Sequence, residues 1–211
     1  MSQRDQKIRV LAVDDHAILR EGVAALISSQ SDMELVAEAA SGREALALHH
    51  AHNPHVTLVD LALPDMSGVD VIRAIRQQLP KAKFVVLTTF RGDVQALRAL
   101  KAGASGYLLK SMLRKDLLET IRTVHAGGKR IPPEISFDIA AHATGEELSE
   151  REIEVLAWVA EGSSNKVVAA RLGISEDTVK NHMRTILAKL GANDRTHAVT
   201  IAIRRGFLDL R

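Results

Sequence analysis

The stretch VTLVDLALPDMSGVDVIRAIRQQLP, residues 56–80, decides the fold. It opens on a short apolar run, VTLVD (56–60), passes through a turn, and from Gly68 follows helical periodicity until Pro80 stops it. The same alternation recurs on either side. IRVLAV (8–13), ELVAEA (34–39), KFVVLT (83–88) and GYLL (106–109) are further runs rich in Val, Leu and Ile, each separated from the next by a helix-length segment. Near-continuous apolar runs joined in this way predict strands buried on both faces of a parallel sheet. Residues 7–126 therefore read as an α/β domain, doubly wound, with a five-stranded parallel sheet and five helices. Ser41-Gly42-Arg43-Glu44 has the spacing of a capping box at the start of one of them.

Further along, HAGGKRIPPEISFDIAAHATGEE breaks helical continuity at Gly127, Gly128, Pro132 and Pro133, with a short helix expected near 134–142. Residues 127–145 read as a linker. From 146 to 211 all periodicity is helical, and the segment reads as a small all-α domain. Ser149 with Glu152 forms a capping box, Ser164 and Ser175 cap the next two helices, and Gly173 and Gly191 stop them. A last helix is expected over 195–205.

The chain of 211 residues is 46% hydrophobic and 26% charged, the balance of a packed globular protein. Its start, MSQRDQKIRVLAVDD, and its interior lack an apolar run approaching the roughly 18 residues of a membrane span, so a cytoplasmic protein without membrane contact is expected. The absence of cysteine excludes disulfides, thiolate zinc sites and thiol nucleophiles. The net charge of +2 says little, but its distribution says more. Residues 146–161 hold six acids and one base, whereas residues 162–211 hold nine bases and four acids, a balance that favours a polyanion.

In an open parallel sheet, ligands bind at the carboxyl ends of the strands. Asp14 and Asp15 follow the first strand there, Asp60 ends the third, Thr88 ends the fourth and Lys110 follows the fifth. One carboxylate at a strand end is most often a helix cap, but five such groups around one edge form a constellation. Three converging acids repel unless a hard divalent cation such as Mg2+ sits among them. With such an ion in place, Asp60 can stay ionised and attack a phosphoryl group, while Thr88 and Lys110 hold its oxygens.

In the second domain, LGIS joins two helices in the manner of a helix-turn-helix. Lys180, Asn181 and Arg184 lie within about one turn on the second of these, opposite an apolar stripe of Val179, Met183, Ile186, Leu187 and Leu190. Arg or Lys suits guanine edges and Asn suits adenine, so these three are expected to read double-stranded DNA. Ser164, Lys166, Ser175 and Thr178 are placed for phosphate contacts, which position rather than specify.

Residues 7–126 resemble the receiver domains of response regulators, which are flavodoxin-like in fold, through VDDH (13–16), VDLALPDMSG (59–68), VVLTTF (85–90) and GASGYLLK (103–110). The resemblance implies phosphorylation of Asp60 by a sensor histidine kinase. It places Mg2+ on Asp14, Asp15, Asp60 and the backbone carbonyl of Ala62, with Thr88 and Lys110 on the phosphoryl group. Tyr107 takes the aromatic switch position, moving into space vacated when Thr88 is drawn toward the new anion. Residues 146–211 resemble the LuxR-type helix-turn-helix through EGSSNKVVAARL (161–172) and SEDTVKNH (175–182). Joined, the two are similar to the NarL/FixJ family, in which the last helix often pairs domains on DNA, making Val199 and Ile203 candidates for a homodimer contact. Two other readings stand beside this one. The first is a DNA-binding protein that acts without a kinase. The second is a phosphohydrolase of the haloacid dehalogenase type, disfavoured because Ala62 stands where those enzymes carry a second Asp.

Overall fold

A computed structural model describes residues 7–89, 92–142 and 147–208; the last residues of the expected linker, 143–145, and the first of the helical domain, 146, lie outside these ranges. The chain divides into two compact units, one built around a sheet and one on the helices from Ile135 onward.

The sheet unit runs β1 (Ile8–Val13), α1 (Ala17–Ser28), β2 (Met33–Ala39), α2 (Gly42–His52), β3 (Val56–Asp60), α3 (Gly68–Gln78), β4 (Phe84–Thr88), α4 (Asp93–Ala102), β5 (Gly106–Leu109), a single 3-10 turn (Lys110–Met112) and α5 (Leu113–His125). All pairings are parallel, in the order β2-β1-β3-β4-β5. The three strands β3, β4 and β5 are buried throughout, which is why their sequences are almost wholly apolar. Alternate residues serve opposite faces. Val10, Ala12, Leu58, Val85 and Leu87 pack with Val23 and Ile27 of α1 and with Leu117, Ile121 and Val124 of α5. The order reverses between β1 and β3, and the crevice at their carboxyl ends is where such sheets take ligands.

Two local features position that crevice. Gly68, at the first turn of α3, lies so close to the end of β3 that a Cβ there would stand 2.0 Å from the carbonyl oxygen of Asp60. Its N–H donates to Leu61 O at 2.9 Å, closing the turn that follows the strand. At the other end of the sheet, the chain after α5 doubles back along the β5 edge. Tyr107 N–H donates to Arg130 O at 2.9 Å and Arg130 N–H to Ser105 O at 3.0 Å. Arg130 also holds Glu119 through two hydrogen bonds, of 2.9 and 3.1 Å. Part of the expected linker is thus paired to the sheet.

The helical unit contains α6 (Pro133–Ala141), α7 (Glu150–Ala160), α8 (Asn165–Leu172), α9 (Glu176–Leu190) and α10 (Arg195–Arg205). Val155, Leu156, Val168, Val179, Ile186 and Ala198 form its dry centre. Ser149 and Glu152 make a reciprocal capping box at α7. Gly173 adopts a left-handed conformation at φ 66°, which ends α8 and turns the chain into α9 with little steric cost.

Candidate functional site

The structure brings Asp14, Asp15 and Asp60 to the crevice between β1 and β3, with ligand atoms of these three and of His16 all within 4.8 Å of one another. Asp14 and Asp60 are buried, whereas Asp15 and His16 are exposed. Lys110 reaches across from the end of β5, its Nζ 2.7 Å from Asp60 Oδ2 and 2.7 Å from Asp14 Oδ2. It donates a hydrogen bond to Asp60 and forms an ion pair with the buried Asp14 Oδ2. Asp60 Oδ1 accepts from Ala62 N–H at 3.3 Å.

Burial is the largest influence on Asp60 and raises its pKa above the ordinary carboxylate value; the hydrogen bond and charge of Lys110 oppose it, and the nearby Asp14 adds to it. For Lys110, burial pulls the pKa down, but the Asp14 and Asp60 carboxylates outweigh it and hold the ammonium above its ordinary value. The result is a carboxylate that solvent does not stabilise, beside a cation that stays charged. A crevice in which three carboxylates converge, with ligand atoms all within 4.8 Å of one another, fits a hard divalent cation, which prefers oxygen ligands.

Thr88 and Tyr107 form a second layer. Both are buried, and their hydroxyls share a hydrogen bond. Burial raises the Tyr107 pKa and the Thr88 hydrogen bond partly offsets this. The residue is only 1% exposed.

Sequence reasoning passed over two neighbours of the pocket. His16 donates its backbone N–H to Asp14 Oδ1 at 2.9 Å, and its Nδ1 stands 2.7 Å from Asp15 Oδ1. Arg20, one turn into α1, donates to the carbonyl of Asp14 at 2.6 Å. His16 lay in the VDDH motif and was legible there; Arg20 becomes visible only once α1 folds back over the end of β1.

On α9 the expected division holds: Lys180, Asn181 and Arg184 are exposed, Val179, Met183, Ile186 and Leu190 are buried, and Leu187 is half-buried against the same core. Ser164, Lys166 and Ser175 are exposed, and Thr178 is half-buried. Ser164 and Ser175 cap their helices, and the Ser175 hydroxyl also lies 2.8 Å from that of Thr178. A feature missed from sequence is the pairing of Lys180 Nζ with Asp177 at 3.1 Å and Glu176 at 3.9 Å. Hydrogen bonding to Asp177 raises the Lys180 pKa. Val199 and Ile203 on α10 are half-buried and pack against the centre of the helical unit.

Comparison with known proteins agrees on both units. The family model for the response regulator receiver domain matches residues 10–122, and that for bacterial regulatory proteins of the luxR family matches residues 146–202. Response regulator protein VraR of Staphylococcus aureus is 39% identical over 206 residues, covering 95% of this chain and 99% of VraR. Among solved structures, response regulator ChrA of a heme-sensing two-component system is 33% identical, with a TM-score of 0.57 over 96% of this chain and 99% of that one. A structure of two RcsB dimers bound to two parallel DNAs has a TM-score of 0.68 over 94% of this chain and 99% of that one; at 23% identity it shows likeness of fold.

Proposed function

This chain belongs to the response regulators that join a receiver to a LuxR-type DNA-binding domain, and from that premise we propose that phosphorylation of Asp60 by a sensor histidine kinase controls its binding to DNA. The observation that carries the reading is Lys110, whose Nζ lies 2.7 Å from both Asp14 and Asp60 at the crevice where the strand order reverses.

Asp60 is the nucleophile. One of its oxygens forms the bond to phosphorus as the bond from phosphorus to the donor's imidazole nitrogen breaks. Lys110 neutralises the incoming phosphoryl charge, and Thr88 supplies a hydroxyl to one of its oxygens. Asp14, Asp15, Asp60 and the Ala62 carbonyl are the groups that would hold Mg2+, and the bound ion would offset the three carboxylates and polarise the phosphoryl group. Ala62 offers a methyl group where a hydrolase needs an acid, so the acyl phosphate serves as a signal rather than a turnover intermediate.

The output is the face of Lys180, Asn181 and Arg184 in the major groove, with Ser164, Lys166, Ser175 and Thr178 placing the domain on phosphates. We take residues 7–126 as the receiver, 127–145 as the linker and 146–211 as the DNA-binding domain. The RcsB dimers on DNA support a homodimer here, with Val199 and Ile203 of α10 at the contact. Phosphoryl charge, felt through Thr88 and Tyr107, shifts the population toward the DNA-binding state. A cytoplasmic location fits these partners, and among the described residues no helix is long and apolar enough to cross a membrane.

The test is incubation with Mg2+ and acetyl phosphate, followed by intact mass and DNA affinity for wild type and Asp60→Ala. The expected result is a phosphoryl adduct and tighter DNA binding in wild type alone. The rival reading is DNA binding without a kinase. That reading wins if Asp60→Ala binds DNA as tightly as the phosphorylated wild type.

A further inference from the structure

The reading face of α9 begins one turn earlier than Lys180. Asp177, Lys180, Asn181 and Arg184 are spaced i, i+3, i+4 and i+7, which places them on one side of the helix. Asp177 is 87% exposed, and its carboxylate holds Lys180 at 3.1 Å. A helix that docks in the major groove presents its N-terminal residues to base edges. The side chain that leads this face is thus an anion, on a surface whose other chemistry suits a polyanion.

Such a placement carries a cost against DNA of any sequence. The carboxylate repels phosphates, and by pairing with Lys180 it cancels one of the positive charges through which non-specific DNA is held. The cost is recovered only where a base presents a donor. In the major groove that donor is the N4 amino group of cytosine, for which Asp is the matching acceptor. Contact with it also frees Lys180 for the O6 and N7 of a nearby guanine. We propose that Asp177 is a specificity-determining residue that reads a cytosine in each half-site and holds Lys180 back from DNA lacking it. The proposal rests on the assignment of Lys180, Asn181 and Arg184 as the DNA-reading face.

The experiment selects duplexes from a random pool with the full-length, acetyl-phosphate-treated protein and its Asp177→Asn and Asp177→Ala variants. Affinity for the selected duplex and for an unrelated one is then measured across a range of KCl concentrations. Wild type should select a fixed C·G pair at one position of each half-site. Asp177→Asn, nearly the same shape, should exchange it for A·T by about ten-fold, because Asn matches adenine. Asp177→Ala should lose the preference, bind the unrelated duplex several-fold more tightly, and steepen the slope of log affinity against log salt by about 1. Asp177→Asn keeps the question open to measurement even if the alanine variant folds poorly. The same base preference and the same non-specific affinity in all three proteins would overturn the proposal. If Lys180→Ala and Arg184→Ala abolish binding in that case, the reading face stands and only the Asp177 assignment falls. If they too change nothing, both fall together.

Discussion

A methyl group at position 68 has nowhere to go. The Cβ of an alanine there would stand 2.0 Å from the Asp60 carbonyl oxygen and 3.0 Å from Leu61 Cα, both backbone atoms that cannot turn aside. Gly68→Ala must push α3 away from the end of β3 and take Asp60, the proposed phosphoacceptor, out of register with Lys110. Urea unfolding should show a loss of roughly 2–4 kcal/mol, the scale of an overpacked interior, and labelling by acetyl phosphate should fall with it. Native stability with full labelling would show that the loop yields freely. The sequence marks Gly68 only as the opening of a helix, because the atom it avoids belongs to a residue eight positions back, brought close by the turn. Asp14, Asp60 and Lys110 were readable for the opposite reason: strand ends in a parallel sheet share one edge, so three runs of apolar residues place three charges together. The inward Tyr107 ring was not readable, since a side-chain rotamer answers to packing that no local pattern records.

Helix ends show how far spacing carries at the next scale up. Ser149 and Glu152 close their box as S-x-x-E predicts, with Ser149 N–H donating to Glu152 Oε2 at 2.7 Å and Glu152 N–H to Ser149 Oγ at 3.2 Å. Ser41 and Glu44 have the same spacing and keep half of the box: Glu44 N–H donates to Ser41 Oγ at 3.3 Å, but the Glu44 carboxylate accepts from Ala40 N–H at 2.8 Å, one residue further back. The start of α2 is served by Asp65 as well, which accepts from Gly42 N–H at 2.7 Å and Arg43 N–H at 3.0 Å. Those two bonds hold the Asp65 carboxyl below its ordinary pKa, and a partner 23 residues away lies beyond any capping pattern.

At α7 the box is tied to α9 by Lys189, 2.9 Å from Glu152 Oε2, with both side chains largely buried. Burial raises the Glu152 pKa, but Ser149 N–H and Lys189 outweigh it and leave it below its ordinary value. A carboxylate held low contributes stability above the ordinary glutamate range and loses it as pH falls through the depressed value. Lys189→Met strands the charge. At pH 7 it should cost about 3 kcal/mol, and the gap to wild type should narrow toward pH 4 as Glu152 protonates. Trp158, the chain's one tryptophan, sits on α7 and reports this unit's unfolding by fluorescence. A gap that stays constant with pH would rule out Glu152 as its source.

For the molecule as a whole, strand bounds fell within a residue of their apolar runs, because turn residues punctuate each run sharply. The stretch after α5 was less transparent. Two glycines and two prolines signal a break at 127–133, and between them Arg130 pairs with β5 through backbone groups, which every residue type carries. That pairing bears on how the molecule keeps to itself. An open strand edge is an adhesive template for another chain. At one rim of this sheet, β2 presents exposed Glu34 and Glu38 and a slipped register opposite Val10 and Leu11. The other rim is hemmed by the chain's own next segment. A receiver fragment ending at residue 126 would lose the hem, and light scattering should find it self-associating at concentrations where a fragment ending at residue 134 remains a monomer. Equal behaviour of the two would make the hem dispensable. The segment that leads out of the receiver thus also keeps its sheet from recruiting a sixth strand from a neighbour.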